Sequence, residues 1–305
     1  MDCAGFKIVD FHSHLPVGSW PANLHPTLRK YSRERSLAMA REWCFPEAEP
    51  FAETPDEIQS TVRRWAQQVI DNDLECVVFV TGGGNDTLAD AVRQYPRYFR
   101  GFAHHHICSP GALDELRRAV EELGLCGFKM HGPRLHIPFE DPSLDPIWQY
   151  IERAGIPVLI HFGLLRKAGG VVYHPRMSPL TLAPVAHKYP DIPFVIPHFG
   201  CGYPQELLHL CWSCPNIYVD TSGSNQWMRW MPYPLTLEDL FRKFYETIGP
   251  DRIIFGTDSS WFPRGFTRRY LEDQLRACRW LGIREDDIKK IFRDNALRLL
   301  QRTKS

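Results

Sequence analysis

The sequence predicts an α/β fold, a (β/α)8 barrel of the TIM type with an insertion after its first strand and a helix at its C-terminal end. Three observations carry this. Short apolar runs rich in β-branched residues recur along the chain, amphipathic segments of helical period separate them, and chemically capable polar residues close several of the runs. The alternation alone would equally suit an open doubly wound sheet. The polar strand ends favour the barrel, because barrel enzymes carry their chemistry at the C-terminal ends of the strands.

Eight runs are expected as strands: Phe6–Phe11, Cys76–Thr81, Phe99–Ala103, Cys126–Met130, Pro157–His161, Pro193–Pro197, Ile217–Asp220 and Arg252–Gly256. Helices are expected at Asp56–Asp73, Asp86–Tyr95, Ala112–Leu123, Pro142–Ala154, Pro179–Tyr189, Pro204–Cys214, Leu237–Ile248 and Thr267–Leu281, with a closing helix at Glu285–Gln301. Local signals support the boundaries. Thr54-Pro55-Asp56-Glu57 supplies a cap, a first-turn proline and acids for the positive end of the dipole. Gly124 and Gly155 follow two of the helices, where a left-handed residue commonly ends them.

Leu15–Pro55, rich in Pro, Trp and Arg, reads as an irregular lid or substrate loop over the active face, and Leu164–Ser178 as a shorter insertion on the same side. A chain of 305 residues exceeds the roughly 250 of a bare barrel, so one domain over residues 1–305 with insertions accounts for the length.

Lys plus Arg and Asp plus Glu each number 36, so no global field steers the chain to nucleic acid or an anionic membrane, and anion recognition has to be local. Nine scattered cysteines, no secretory leader and no 18-residue apolar stretch point to a reducing cytoplasm without membrane insertion. Cys211-Trp-Ser-Cys214 lies in an expected helix without a second pair, and reads as structure rather than a redox or zinc site. His104-His105-His106 reads as a polar strand exit that could lend one residue to a pocket, and Gly82-Gly83-Gly84 as a loop near the mouth rather than a phosphate turn.

His12, His14, Lys129, His161, His198 and Asp258 stand at or near the ends of the first, fourth, fifth, sixth and eighth strands. The two-residue period of a strand places His12 and His14 on one face, together with Asp10 and Ile8. One histidine at a strand end is ordinarily a hydrogen-bonded core residue. Four, with an aspartate and a lysine at one mouth, are costly to bury unless an ion or partner compensates them. Imidazoles and a carboxylate with an open position suit Zn2+ and its neighbours.

VDFHSH, GFKMHG, VLIHFG, FVIPHFG and FGTDS, in this order across nearly the whole chain, resemble the amidohydrolase superfamily. The similarity is to its amidohydrolase-related branch, which includes aminocarboxymuconate semialdehyde decarboxylase and pyrone dicarboxylate lactonase. The resemblance implies that His12, His14, His161 and Asp258 bind the metal, and that Asp258 also handles the proton. It implies that His198 is catalytic, or a ligand where a second ion binds. At Lys129 it leaves two alternatives: a carboxylated lysine bridging two ions, or a free amine that binds a substrate carboxylate or oxyanion. One divalent ion, with Zn2+ the best match, is the favoured reading.

The leading functional reading is hydrolysis of an ester, lactone or amide bond in a small carboxylated substrate, by water activated at the metal. The alternative is zinc-dependent non-oxidative decarboxylation of an unsaturated or aromatic acid. Arg29, Arg166, Arg176 and Arg264 are available to a carboxylate, with Arg166 favoured for its nearness to His161, and Trp20, Trp43, Trp227, Trp230 and Trp261 could wall a ring. The expected partner is a small molecule rather than nucleic acid or membrane, and barrels of this kind often pair as homodimers.

Overall fold

A computed structural model describes residues 4–18, 25–164 and 174–301. All eight strands form: β1 (Ile8–His14), β2 (Leu74–Thr81), β3 (Phe99–Gly101), β4 (Phe128–His131), β5 (Val158–His161), β6 (Phe194–Ile196), β7 (Ile217–Asp220) and β8 (Ile253–Ile254). They pair in parallel as β1-β2-β3 and β4-β5-β6-β7-β8. Backbone bonds beyond the named strands join the two sheets. Ala103 N donates to Gly127 O at 2.8 Å and Lys129 N to Ala103 O at 2.7 Å, while Phe11 N donates to Phe255 O at 3.1 Å and His14 N to Ser259 O at 2.7 Å. With both seams sewn, the sheet has no open edge and the fold is a (β/α)8 barrel.

The helices are α1 (Pro26–Glu42), α2 (Pro55–Asp71), α3 (Asn85–Gln94), α4 (Ala112–Arg117), α5 (Asp145–Ala154), α6 (Ala183–Lys188), α7 (Pro204–Ser213), α8 (Leu237–Ile248), α9 (Arg268–Trp280), α10 (Glu285–Lys289) and α11 (Asn295–Leu300). Thr54 caps α2 as expected: its hydroxyl accepts from Glu57 N at 3.3 Å, and the Glu57 carboxylate accepts from Thr54 N at 3.0 Å. Gly155 ends α5 with φ of 68°, where a side chain would be strained. Two expected helices are broken by π-helical turns, after α4 at Arg118–Glu122 and between α10 and α11 at Lys290–Asp294.

The insertion contains α1, where the sequence suggested irregular chain. Its residues, such as Leu28, Arg33, Glu34, Ala38 and Met39, are good helix formers, but α1 buries none of them. Periodicity is silent where no face is buried. The chain then returns across the loop after β8. Glu49 N donates to Phe262 O at 2.7 Å, and the Arg64 guanidinium spans both Glu49 oxygens while lying 3.9 Å from the Phe262 ring centroid.

A smaller apolar cluster fills the barrel interior, with Val9, Phe11, Val78, Phe102, Leu159, Val195 and Ile254 from the sheet and Ala296 and Leu299 from α11. Phe128, Val158, Phe194 and Ile253, one position off, belong to the larger core under the helices. The β1 alternation expected from sequence does not hold. The pairing with β2 slips between Asp10 and Ser13. Ile8 therefore packs outside, Val9 and Phe11 inside, and Asp10 shares a side with Ser13, whose hydroxyl donates to it at 2.8 Å. A bulge re-aims the strand so that both histidines still reach the mouth.

Candidate metal centre

The slip in β1 delivers His12, fully buried, and His14, partly buried, to the mouth. The segment after β8 is tied beside them, since Asp258 N donates to His12 O at 2.7 Å. Gly256 permits this approach: a Cβ there would lie 2.8 Å from His12 Cβ and 3.0 Å from Asp220 Oδ1. Asp258 has φ of 56°, and beyond β6 His198 (58°), Phe199 (49°) and Cys201 (45°) do too, so two of the reactive side chains stand on strained backbone.

Each imidazole is steered through its Nδ1. The His12 Nδ1 lies 2.6 Å from Asp220 Oδ2, the His14 Nδ1 lies 2.6 Å from Thr81 Oγ1, and the His198 Nδ1 donates to Ser222 O at 3.0 Å. The opposite nitrogens face inward. His12 Nε2 is buried with no hydrogen-bond partner among the described residues, and His14 Nε2 sits 3.1 Å from Asp258 Oδ1. Donor atoms of His12, His198 and Asp258 all lie within 4.8 Å of one another.

This set fits a divalent cation. A buried imidazole nitrogen without a partner is an unsatisfied lone pair, and two imidazoles with one carboxylate match the donor preference of zinc-like ions. The carboxylate behind His12 repeats the second-shell arrangement that orients metal-bound histidines. Burial, together with Lys129, drives His12 well below the usual histidine range, so it is neutral and able to donate its lone pair. Burial opposes ionisation of Asp258, but the His14 hydrogen bond and the nearby His198 outweigh it and hold the carboxyl well below its ordinary range.

Of the four ligands implied by resemblance, His12 and Asp258 stand in the compact group and His14 bonds directly to Asp258. His161 is adjacent, its ring centroid 5.3 Å from that of His198, while its Nε2 donates to Leu164 O at 3.2 Å. His198 takes a place in the group itself. Lys129 lies in the interior, in register with Leu159 and buried, and burial pushes its amine down to about 8 against the pull of Asp258 and Asp220.

Asp220, Ser222 and Thr81, which orient the histidines, were not found by sequence reasoning. Asp220 does close an expected strand, and that was the available signal. Arg166 and Trp20 lie outside the described residues. Arg264 lies close to the centre, donating to Asp258 O at 3.3 Å with its guanidinium 4.5 Å from the Trp261 centroid, whereas Arg176 donates to Leu135 O and Arg29 is exposed on α1. Trp43 and Trp261 join an aromatic group with Phe45 and Tyr270, Trp227 is buried, and Trp230 is exposed. The histidine run at 104–106 lines a cavity of about 190 Å³ together with Thr81, Lys129 and Arg134. His104 Nε2 accepts from Gly82 N and Gly84 N, so the triple-glycine turn serves this wall. Cys211 and Cys214 are buried free thiols.

Parallel barrel, strand-end histidines and an acidic strand end together define a barrel enzyme with a candidate metal centre. The chain belongs to the amidohydrolase family, whose sequence profile matches residues 9–302. The family is metal-dependent, and the site offers residues that could hold the ion. Gamma-resorcylate decarboxylase from Rhodococcus jostii is 25% identical over 277 residues, covering 74% of this chain and 78% of its own. Among solved structures, 2,6-dihydroxybenzoate decarboxylase from Rhizobium superposes with a TM-score of 0.62 at 19% identity, over 97% of this chain and 98% of its own. A probable 2-pyrone-4,6-dicarboxylic acid hydrolase from Acinetobacter baumannii superposes with a TM-score of 0.63 at 17% identity, over 97% of this chain and all of its own. Among the described residues no helix is long and apolar enough to cross a membrane.

Proposed function

We propose that this enzyme catalyses metal-dependent, non-oxidative decarboxylation of a small aromatic or unsaturated carboxylic acid, the reading that the sequence kept as its alternative. The similarity to gamma-resorcylate decarboxylase over three quarters of the chain carries it. Hydrolysis, which the sequence placed first, draws its support from a hydrolase structure whose 17% identity speaks to fold alone.

In this reading His12, His198 and Asp258 hold a zinc ion, with His14 and His161 beside them. When bound, the ion supplies Lewis acidity that anchors and polarises the oxygens of the substrate. Asp220 and Thr81 keep the imidazoles in the tautomer that turns Nε2 inward. The carbon–carbon bond to the carboxylate breaks, carbon dioxide leaves, and a proton takes its place on the carbon. Asp258, within hydrogen-bond distance of His14, is the group positioned to relay that proton from solvent water to the carbon.

The test is carbon dioxide release from hydroxybenzoates by zinc-loaded protein, run beside lactone and ester substrates. Release from a carboxylate with no turnover of the lactones is the expected result. The reverse pattern would restore hydrolysis.

A further inference from the structure

Beside the centre lies a buried polar cluster that the proposed chemistry does not use. It is built on Asp10, fully buried on β1 two residues before His12. Its Oδ2 accepts from the Ser13 hydroxyl at 2.8 Å and from the Thr257 hydroxyl at 2.5 Å, and its Oδ1 accepts from Thr257 N at 2.9 Å and from His12 N at 3.3 Å. A carboxyl group so deeply buried is costly unless donors satisfy it, and these four do. Two of them belong to β1 and two to the chain after β8, 247 positions away from Asp10.

Both segments are irregular where Asp10 joins them. The pairing of β1 with β2 passes directly from Asp10–Val77 to Ser13–Phe79, skipping Phe11 and His12. On the other side β8 ends at Ile254, and Asp258 has left-handed backbone with φ of 56°. Regular pairing therefore leaves open how either segment is turned. Ser13 stands between His12 and His14, and Thr257 immediately precedes Asp258, so each limb of the contact grips the chain next to an implied ligand. The Thr257 hydroxyl lies 2.7 Å from that of Ser259. The Ser259 Oγ in turn lies 3.0 Å from the Thr267 hydroxyl and accepts from Thr267 N at 3.0 Å, which ties the contact to the start of α9. All of these side chains are buried.

We propose that Asp10 is a positioning residue that clamps the His12-Ser13-His14 segment to Thr257-Asp258, and so sets the separation between the imidazoles and the carboxylate of the centre. The backbone bonds from Asp258 N to His12 O and from His14 N to Ser259 O keep the segments in contact, and Asp10 fixes how each is turned. The proposal rests on the metal centre and is indifferent to whether that centre decarboxylates or hydrolyses. A merely structural Asp10 would contribute stability and leave the ligands where they are.

The experiment measures zinc affinity of the full chain by competition with a chelator, beside the urea midpoint of each variant. Thr257→Val removes one limb at nearly constant size and should weaken zinc binding about tenfold, as expected of a group behind a ligand. Asp10→Ala should weaken it about a hundredfold. Adding Thr257→Val to Asp10→Ala should change affinity by no more than about twofold, because the link is already cut. Asp10→Asn keeps an acceptor for the two amides and a polar partner for hydroxyls that can turn round, so it should restore affinity to within about threefold of the unsubstituted protein. Variants that lower the urea midpoint yet bind zinc in the folded state as the unsubstituted protein does overturn the proposal, as does full additivity of the Asp10 and Thr257 changes. Should Asp10→Ala not fold, Ser13→Ala cuts the β1 limb instead, with an expected loss of about tenfold. Should the unsubstituted protein take up no zinc, the metal centre falls and crystal structures decide the clamp. The contact of 3.1 Å between His14 Nε2 and Asp258 Oδ1 then opens beyond hydrogen-bond reach in Thr257→Val if Asp10 positions the two segments, and an unchanged contact overturns it.

Discussion

Two successive levels of one barrel are built on opposite principles. In the lower level Val9, Phe11, Val78, Leu159, Val195 and Ile254 pack against Ala296 and Leu299 of α11 in an apolar cluster. A few residues further along the same strands, His12, His14, His161, Asp220 and Asp258 crowd the mouth, where burial drives His12 and His161 well below their ordinary range and pushes Asp220 up to about 6. The lower level gains free energy as water leaves it, and the upper one is buried at a cost that its hydrogen bonds only partly offset. The contrast teaches where each property resides. The lower level contributes to stability, and the unsatisfied valence that chemistry requires is held above it.

Substitutions can break the comparison from either side. Asp258→Asn should lower turnover by about 100- to 10,000-fold, the usual worth of a positioned acid–base group, beyond any fall in metal content, while folding changes little. Carbon dioxide release with metal quantification checks this, and near-normal turnover would remove Asp258 from its role. Below it, Phe11→Ala should cost about 3–5 kcal/mol of stability, read by urea denaturation, with metal stoichiometry unchanged in the folded fraction. If the metal is lost with the ring, the two levels are not separable.

Asp220→Asn is subtler, because it keeps the size and removes the charge behind His12. Metal affinity should fall by about 10- to 100-fold, measured by competition with a chelator, and an unchanged affinity would make the His12–Asp220 contact purely structural. Smallest of all, Thr54→Ala removes the cap of α2. It should cost about 1 kcal/mol by denaturant titration and leave metal binding untouched.

Much of the barrel was legible. Ile217–Asp220 and Leu237–Ile248 form with the expected bounds, because an apolar run or stripe between breakers is a local property. The first strand was placed but its faces were not. A two-residue period assumes unbroken pairing, and the slip between Asp10 and Ser13 depends on β2 and on the buried bonds from Thr257 to Asp10. The α1 helix escaped because it buries nothing. At the site, the residues bearing reactive groups were visible as polar strand ends, while Ser222 and Thr81 were not. A serine or threonine that steers an imidazole looks like any other until the fold brings the two together.

By itself, then, the sequence determined the order of strands and helices, the residues that close the strands, and the neutrality of overall charge that leaves recognition to local groups. Tertiary structure alone decided that His12, His198 and Asp258 meet within one ion's reach, that Asp220 stands behind His12, and that Lys129 lines a cavity. The reason is that secondary structure answers to neighbours along the chain, whereas a site is a matter of distances between side chains up to 246 positions apart, and those are set only when the barrel closes.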